Sequence, residues 1–348
     1  MGNLLAYSGI TTKVRAMQSH LITDEQFREM AALDSVREAV EFLRRRPSYE
    51  NIFAGLDDSE LHRGVIEEHL ALSMYRDFAK LYRFSTLKQR KFLDLYFMHY
   101  EIGILKRCLR NVLDHRNPTL DLSSFQTFFE RHSKLDLIRL AASKTMEELI
   151  GNMEGFVYHN LLTHLNDVSE PSLFDYEIHL DLLYFDEVWK TTSKCLSKSE
   201  QQILARCYGS TLDLLNIQWI YRSKKYYHLS SAEIYSLLIP TQYRLTKEQI
   251  TRMTEAASLD EFYAALAATC YGSLPAAKIE EKPNLEDLYE RVLGQIYHMS
   301  SRKDPYSIAC LNSFLYFKEL ELHKIITTIE CIRYGLDTNE TISYVVKN

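Results

Sequence analysis

The segment LITDEQFREMAALDSVREAVEFL at residues 21–43 returns without a gap as RLTKEQITRMTEAASLDEFYAAL at residues 244–266. Thr, Glu, Gln and Met keep one register at a spacing of 223. A solenoid unit is far shorter, but half that spacing, about 111 residues, predicts a middle copy near residue 134. HSKLDLIRLAASKTMEELI (132–150) stands there. It keeps the apolar spacing and the small-residue step before an acidic helix start, without the Thr-x-Glu-Gln signature. A second element repeats independently: EIGILKRCLR (101–110), DLLNIQWIYR (213–222) and ELELHKIITTIE (319–330). Each carries an acidic residue with apolar residues next to it and four and eight places on. The anchors Glu101, Asp213 and Glu321 lie 112 and 108 residues apart. In the last copy Leu322, Ile325, Ile326, Ile329 and Ile332 follow one face of an α-helix. The chain therefore reads as three helical repeats, 1–117, 118–231 and 232–348.

Local signals give the same organisation. Thr23 is the expected N-cap of a helix with Gln26 at the capping-box position, and Thr246 with Gln249 repeats the pair. Ser35 caps the next helix with Glu38 at its third position, and Pro47 closes the hairpin. HRNP (115–118) ends the first copy, YYHLSS (226–231) the second, and YGSLPAAKIEEKPN (271–284) is the most loop-like stretch. Gly (11) and Pro (7) make up 18 of 348 residues, too few for the turns of a sheet protein, so the fold class is all-α. Nothing approaches the apolar run of a transmembrane helix. MGNLLAYSGITTKVRAM has no apolar signal-peptide core, and Ala6 stands where a myristoylation motif wants Ser or Thr. Six cysteines without a CxxC pair read as free core thiols of a reducing compartment.

The chemistry-bearing motifs are missing. Neither GxxxxGK[ST] nor GxGxxG occurs, and GNMEG (151–155) lacks the Lys–Ser/Thr step, so no nucleotide cofactor is expected. There is no GxSxG or HExxH. His159 and His164 are five apart, on different helix faces, which suits surface or core histidines better than metal ligands. Asp57 and Asp58 read as negative charge at a helix start. YRSKKYYHLS (221–230) has two readings: bases stacked on tyrosines with phosphates on Arg222, Lys224 and Lys225, or a helix C-terminus complementing its dipole. A net charge of −6, from 41 basic and 47 acidic residues, favours the second and argues against nucleic acid as a partner. A non-enzyme is expected, the alternative being a helical scaffold or nucleic-acid-binding protein.

YSGITTKVRAM (7–17), LDLLNIQWIYRSKKYY (212–227) and KELELHKIITTIECIRYGL (318–336) carry a family resemblance over essentially the whole length. The chain resembles the socket subunits of the central stalk in V/A-type rotary ATPases, the C subunit of bacterial and archaeal complexes and the d subunit of the eukaryotic one. The closing helix runs from Lys318, Glu319 and Glu321 to Glu330, Cys331 and Ile332. The resemblance implies three similar helical domains around a pseudo-threefold axis, forming a funnel without catalytic residues. Its wide end takes the shaft of the D and F subunits, and its narrow end sits on the membrane rotor ring at the cytoplasmic face. Glu101, Asp213, Lys318, Glu319 and Glu321 are the candidate partner contacts. For the three acidic anchors two roles stand open: lining the funnel, or pairing with Lys or Arg of their own domain. Reversing the charges at Lys318, Glu319 and Glu321 is expected to disturb the cavity without emptying the core.

Overall fold

The computed structural model describes residues 2–114, 120–168 and 171–346, and among them every regular element is helical, with no strand. The first stretch holds α1 (Gly2–Gln18), the short pair α2 (Asp24–Ala31) and α3 (Val36–Arg44), and α4 (Arg63–Phe84). Next come α5 (Leu87–Leu113), α6 (Ser123–His132), the pair α7 (Leu137–Ala142) and α8 (Met146–Gly151), α9 (Val157–Val168) and α10 (Leu173–Cys195). The last stretch holds α11 (Lys198–Arg222), α12 (Ser231–Leu237), the pair α13 (Lys247–Glu255) and α14 (Leu259–Ala267), α15 (Leu285–Lys303), α16 (Ile308–Arg333) and α17 (Thr338–Val345).

Three short helical pairs thus recur, and the sequence dictates their starts. Thr23 and Thr246 close full capping boxes with Gln26 and Gln249. In the middle copy Asp136 takes over, accepting from the amides of Ile138 and Arg139. The second helix of each pair begins identically. Ser35, Thr145 and Ser258 accept from the amides of Glu38, Glu148 and Glu261. Each of those glutamates reaches back to the amide before the cap, on Asp34, Lys144 and Ala257. Reciprocal caps satisfy donors that a helix start otherwise leaves unpaired.

By packing, the described chain falls into two compact units, residues 1–84 with 198–348, and residues 85–197. The repeat boundaries read from the sequence follow another logic. HRNP (115–118), where the first boundary falls, lies outside the described residues. At the second, α11 ends in a π turn, Ser223–Tyr227, and His228 adopts a left-handed conformation with φ 50°.

In the larger unit α16 packs against α1, α2, α4, α15 and α17, which brings both ends of the chain onto one helix. Of the predicted apolar face Leu322, Ile325 and Ile329 are buried and Ile326 and Ile332 half-buried, while Ile308, Phe314 and Leu315 are among the further buried positions toward the helix start. A second core joins α11 to α13, α14 and α15 through Ile217, Ile220, Met253, Phe262, Leu266, Leu288 and Val292. Each such side chain contributes about 1.5–3 kcal/mol on burial. In the smaller unit α5 runs along α10, tied by Lys106 to Asp181 (2.6 Å) and Arg110 to Glu177 (2.7 Å). Phe97 of α5 meets Phe128 and Phe129 of α6 with centroids 5.3 and 5.1 Å apart. Of the six cysteines, all free, Cys108, Cys207, Cys310 and Cys331 are buried. Burial pushes the Cys108 thiol up to about 12 and that of Cys207 up to about 11, so both behave as small core residues rather than nucleophiles.

Candidate functional site: a carboxylate clasp at each helical pair

The three acidic anchors do the same thing in three places. Asp213 of α11 is fully buried. Its carboxylate accepts from the amides of Tyr243 (2.9 Å), Arg244 (2.7 Å) and Leu245 (3.1 Å), the residues leading into α13, and from the hydroxyl of Tyr271 (2.6 Å), just beyond α14. One side chain therefore holds both the entry and the exit of the α13–α14 pair. Three successive amides aimed at one anion form a nest, at the positive end of the helix that follows. Four donors offset the desolvation that a lone buried carboxylate would suffer.

Glu321 of α16 clasps the α2–α3 pair. Its carboxylate accepts from the Ile22 amide (2.5 Å), immediately before the Thr23 cap, and from the Tyr49 hydroxyl (2.6 Å), beyond α3. Lys318, one turn earlier and also buried, donates to Glu321 and to the Tyr49 oxygen, each at 2.7 Å. Its ammonium sits 4.3 Å from the Tyr49 ring centroid and 3.7 Å from the Asp77 carboxylate. The charge is thus fully paired inside the protein.

Glu101 of α5 clasps the α7–α8 pair. It accepts from the Tyr158 hydroxyl (2.6 Å), beyond α8, and from the Ser133 hydroxyl, whose oxygen accepts from the Leu135 amide (3.0 Å). A serine relay thus replaces the direct amide contact. Burial holds the Glu101 carboxyl above the ordinary range, with the Ser133 and Tyr158 bonds pulling it back. Burial first, and the adjoining carboxylate second, push the Tyr49, Tyr158 and Tyr271 phenols well above their usual value. They stay protonated and serve as donors throughout the physiological range.

Of the two roles open for the anchors, the geometry supports the structural one in altered form: each holds a helical pair that lies in another repeat by the boundaries above, through tyrosine, serine and backbone donors where a Lys or Arg of its own domain was expected. Lys318 beside Glu321 is the cation seen among the three clasps' hydrogen bonds. Glu319, half-buried on α16, takes no part in the Glu321 clasp. The tyrosines are the functional residues the sequence reading missed. Tyr49, Tyr158 and Tyr271 lie 109 and 113 residues apart, so the repeat spacing itself carried the signal.

The remaining candidates have local duties. Asp57 caps a short turn through the Ser59 amide (3.0 Å), and Asp58 pairs with Arg37 (2.7 Å). In the basic aromatic stretch Arg222 pairs with Glu286 (2.9 Å), Lys224 donates to the Ala256 carbonyl (2.8 Å) and Lys225 to the Tyr221 hydroxyl (2.8 Å). All three cations are engaged within the protein, as the helix-terminus reading expects. Among the described residues no helix is long and apolar enough to cross a membrane.

The three carboxylates are committed to the chain's own backbone and side chains, in a helical framework repeated along the sequence, so these sites hold the fold together. The family model described as ATP synthase (C/AC39) subunit matches residues 10–344, and the chain belongs to that family. It is 26% identical to the C subunit of the A-type ATP synthase of Pyrococcus abyssi over 339 residues, 95% of this chain and 87% of that relative. The corresponding A-type ATP synthase protein of Methanocaldococcus jannaschii is 23% identical, over 93% of this chain and 82% of its own length. For that of Archaeoglobus fulgidus the identity is 20%, with 97% and 96% covered.

Proposed function

We propose that this chain is the non-catalytic socket of the central stalk in a V/A-type rotary ATPase. In this reading it receives the shaft of the D and F subunits, rests on the membrane rotor ring at the cytoplasmic face, and passes torque between ATP chemistry and ion translocation. The observation that carries it is the family match along nearly the whole chain, residues 10–344. The clasps give the role a physical basis. A joint under torque has to keep its surface shape, and each clasp fixes both ends of a helical pair on a long helix through charge-assisted hydrogen bonds.

The clasps also refine the repeat. Glu101 precedes the pair it holds, as does Asp213, whereas the first pair is held by Glu321 near the other end of the chain. On the repeat spacing we read three domains, 1–117, 118–231 and 232–348, closed around a pseudo-threefold axis into a funnel, with each clasp reaching from one repeat to the helical pair of the next and Glu321 returning to the first. Within this reading Glu101, Asp213, Lys318 and Glu321 serve partners indirectly, by fixing the pairs that present the contact surface. Glu319 is the one of the five whose side chain stands partly in solvent without a place in a clasp. Deleting the protein from the complex and reconstituting the remainder in vesicles tests the proposal. ATP hydrolysis by the soluble head is expected to persist while ion transport disappears. Transport per ATP at the wild-type value would sink the coupling role.

A further inference from the structure

A cleft of about 610 Å³ opens in the larger unit between α1, the C-terminal part of α15 and α16. Arg15, His298 and Arg302 line it, while Val14, Leu21 and Phe317 supply apolar surface. Among the described residues no carboxylate lines it. Arg15 and Arg302 are exposed, and neither guanidinium makes an ion pair or hydrogen bond within the described protein. Arg37, Arg44, Arg63, Arg110, Arg222 and Arg333 each pair with an acidic residue, whereas Arg15 and Arg302 face one concavity together. In a chain with 47 acidic residues and a net charge of −6, two free arginines and a histidine around one concavity form a local reversal of sign. The walls are fixed: the Thr11 hydroxyl of α1 donates to the Pro305 carbonyl at the α15–α16 corner (3.0 Å).

We propose that this cleft docks an acidic segment of a partner polypeptide within the rotary complex, one carrying Asp or Glu beside a large apolar side chain. Planar guanidinium groups take carboxylates in paired hydrogen bonds. The apolar surface beside them suits the leucine or phenylalanine of such a segment, for which a bare small anion has no use. The charge pattern sets which partner is admitted and how fast it arrives, and its strength falls as salt rises. This inference rests on the proposed place in the complex.

The test uses the assembled complex with a photo-crosslinking amino acid in place of Gln18, another residue lining the cleft. After irradiation, the attached peptide is identified by mass spectrometry. An adduct with a partner segment of net negative charge is expected. In Arg15→Glu with Arg302→Glu the yield falls about tenfold, as reversal of two complementary charges implies. Reversing the acidic residue on the captured segment restores it. The neutral pair Arg15→Gln with Arg302→Gln, at the same exposed positions but without the like-charge repulsion, gives an intermediate yield. An adduct with a basic segment or with lipid, no adduct, or an adduct unaffected by the double reversal overturns the proposal while the protein's membership of the complex stands. Failure of the chain to co-purify with the complex overturns both.

Discussion

The Tyr49 hydroxyl donates to the Glu321 carboxylate at 2.6 Å across 272 residues of chain. With the Ile22 amide and the Lys318 ammonium on the same carboxylate, the first helical pair is fixed to the last long helix. Removing that charge is expected to be costly. Glu321→Gln leaves Lys318 buried with Asp77 as a more distant anion at 3.7 Å, and breaking a buried pair this way costs about 3–5 kcal/mol. Tyr49→Phe removes one hydroxyl and leaves the ion pair, a loss of about 1–3 kcal/mol. Chemical denaturation of both variants checks the order. Equal and small losses would mean that the clasp contributes little.

Asp213→Ala strips the acceptor from three amides and a phenol at once. A loss exceeding about 3 kcal/mol is expected, because buried donors without partners each carry a desolvation penalty. Hydrogen exchange supplies the local readout: the amides of Tyr243, Arg244 and Leu245 should exchange much faster than in the wild type. Gly209 lies beside this clasp, and a Cβ there would stand 2.4 Å from the Tyr243 ring. Gly209→Ala therefore displaces the stretch of chain that Asp213 grips, at a cost of about 1–3 kcal/mol. Unchanged exchange at these amides in Asp213→Ala would show that the nest is not what orders them.

Glu101 adds a pH dependence of definite sign. Its folded pKa is raised by burial above the ordinary glutamate value, so the folded state binds the proton more tightly than the unfolded chain. Its contribution to stability is therefore greatest at low pH. It declines as pH rises from the unfolded value, near 4.5, through the raised folded one. Glu101→Gln has no such titration. The stability of the wild type relative to the variant should fall as pH rises above the unfolded value, near 4.5, and level off once pH passes the raised folded one. A relative stability that rises with pH would mean that the Ser133 and Tyr158 bonds outweigh burial at this site.

Much of this architecture was legible beforehand, and the limit has a physical cause. Local rules fixed the helix starts: Thr23, Ser35 and Thr246 cap as read, because caps depend on four consecutive residues. Glu101, Asp213 and Glu321 were recognisable as equivalent from the apolar residues four and eight places on, which report a helix face. Their partners were not. Tyr158 and Tyr271 lie 57 and 58 residues beyond their acids, and Tyr49 lies 272 residues before its own. No helical period connects such positions; only repeat spacing applied to tyrosine could have. The middle pair was the hardest to see because Asp136 replaced the Thr-x-x-Gln start, although Thr145 and Glu148 retained the second cap.

The same contrast decides what charge reversal on the closing helix will do. Taken as partner contacts, Lys318, Glu319 and Glu321 suggested a triple reversal that spares the core. In the structure Lys318 is 0% and Glu321 4% exposed, and both belong to the Tyr49 clasp. Lys318→Glu with Glu321→Lys exchanges the two charges but breaks the fit. The amide of Ile22 would then face an ammonium that accepts nothing, and Asp77 would face a second carboxylate. Buried groups left without partners, and like charges held close, cost several kcal/mol. The triple variant is therefore expected to lose cooperative unfolding or to melt well below the wild type, independently of any partner. Glu319→Lys alone changes a half-buried position outside the clasp, where a single pair is worth under about 1 kcal/mol. That variant should keep the wild-type melting temperature within a few degrees, by the usual relation between free energy and midpoint. Thermal melts followed by circular dichroism separate the cases. If the triple variant melts like the wild type, the Lys318–Glu321–Tyr49 cluster does not hold the first helical pair to α16. Its charges would then be available for contact with the shaft.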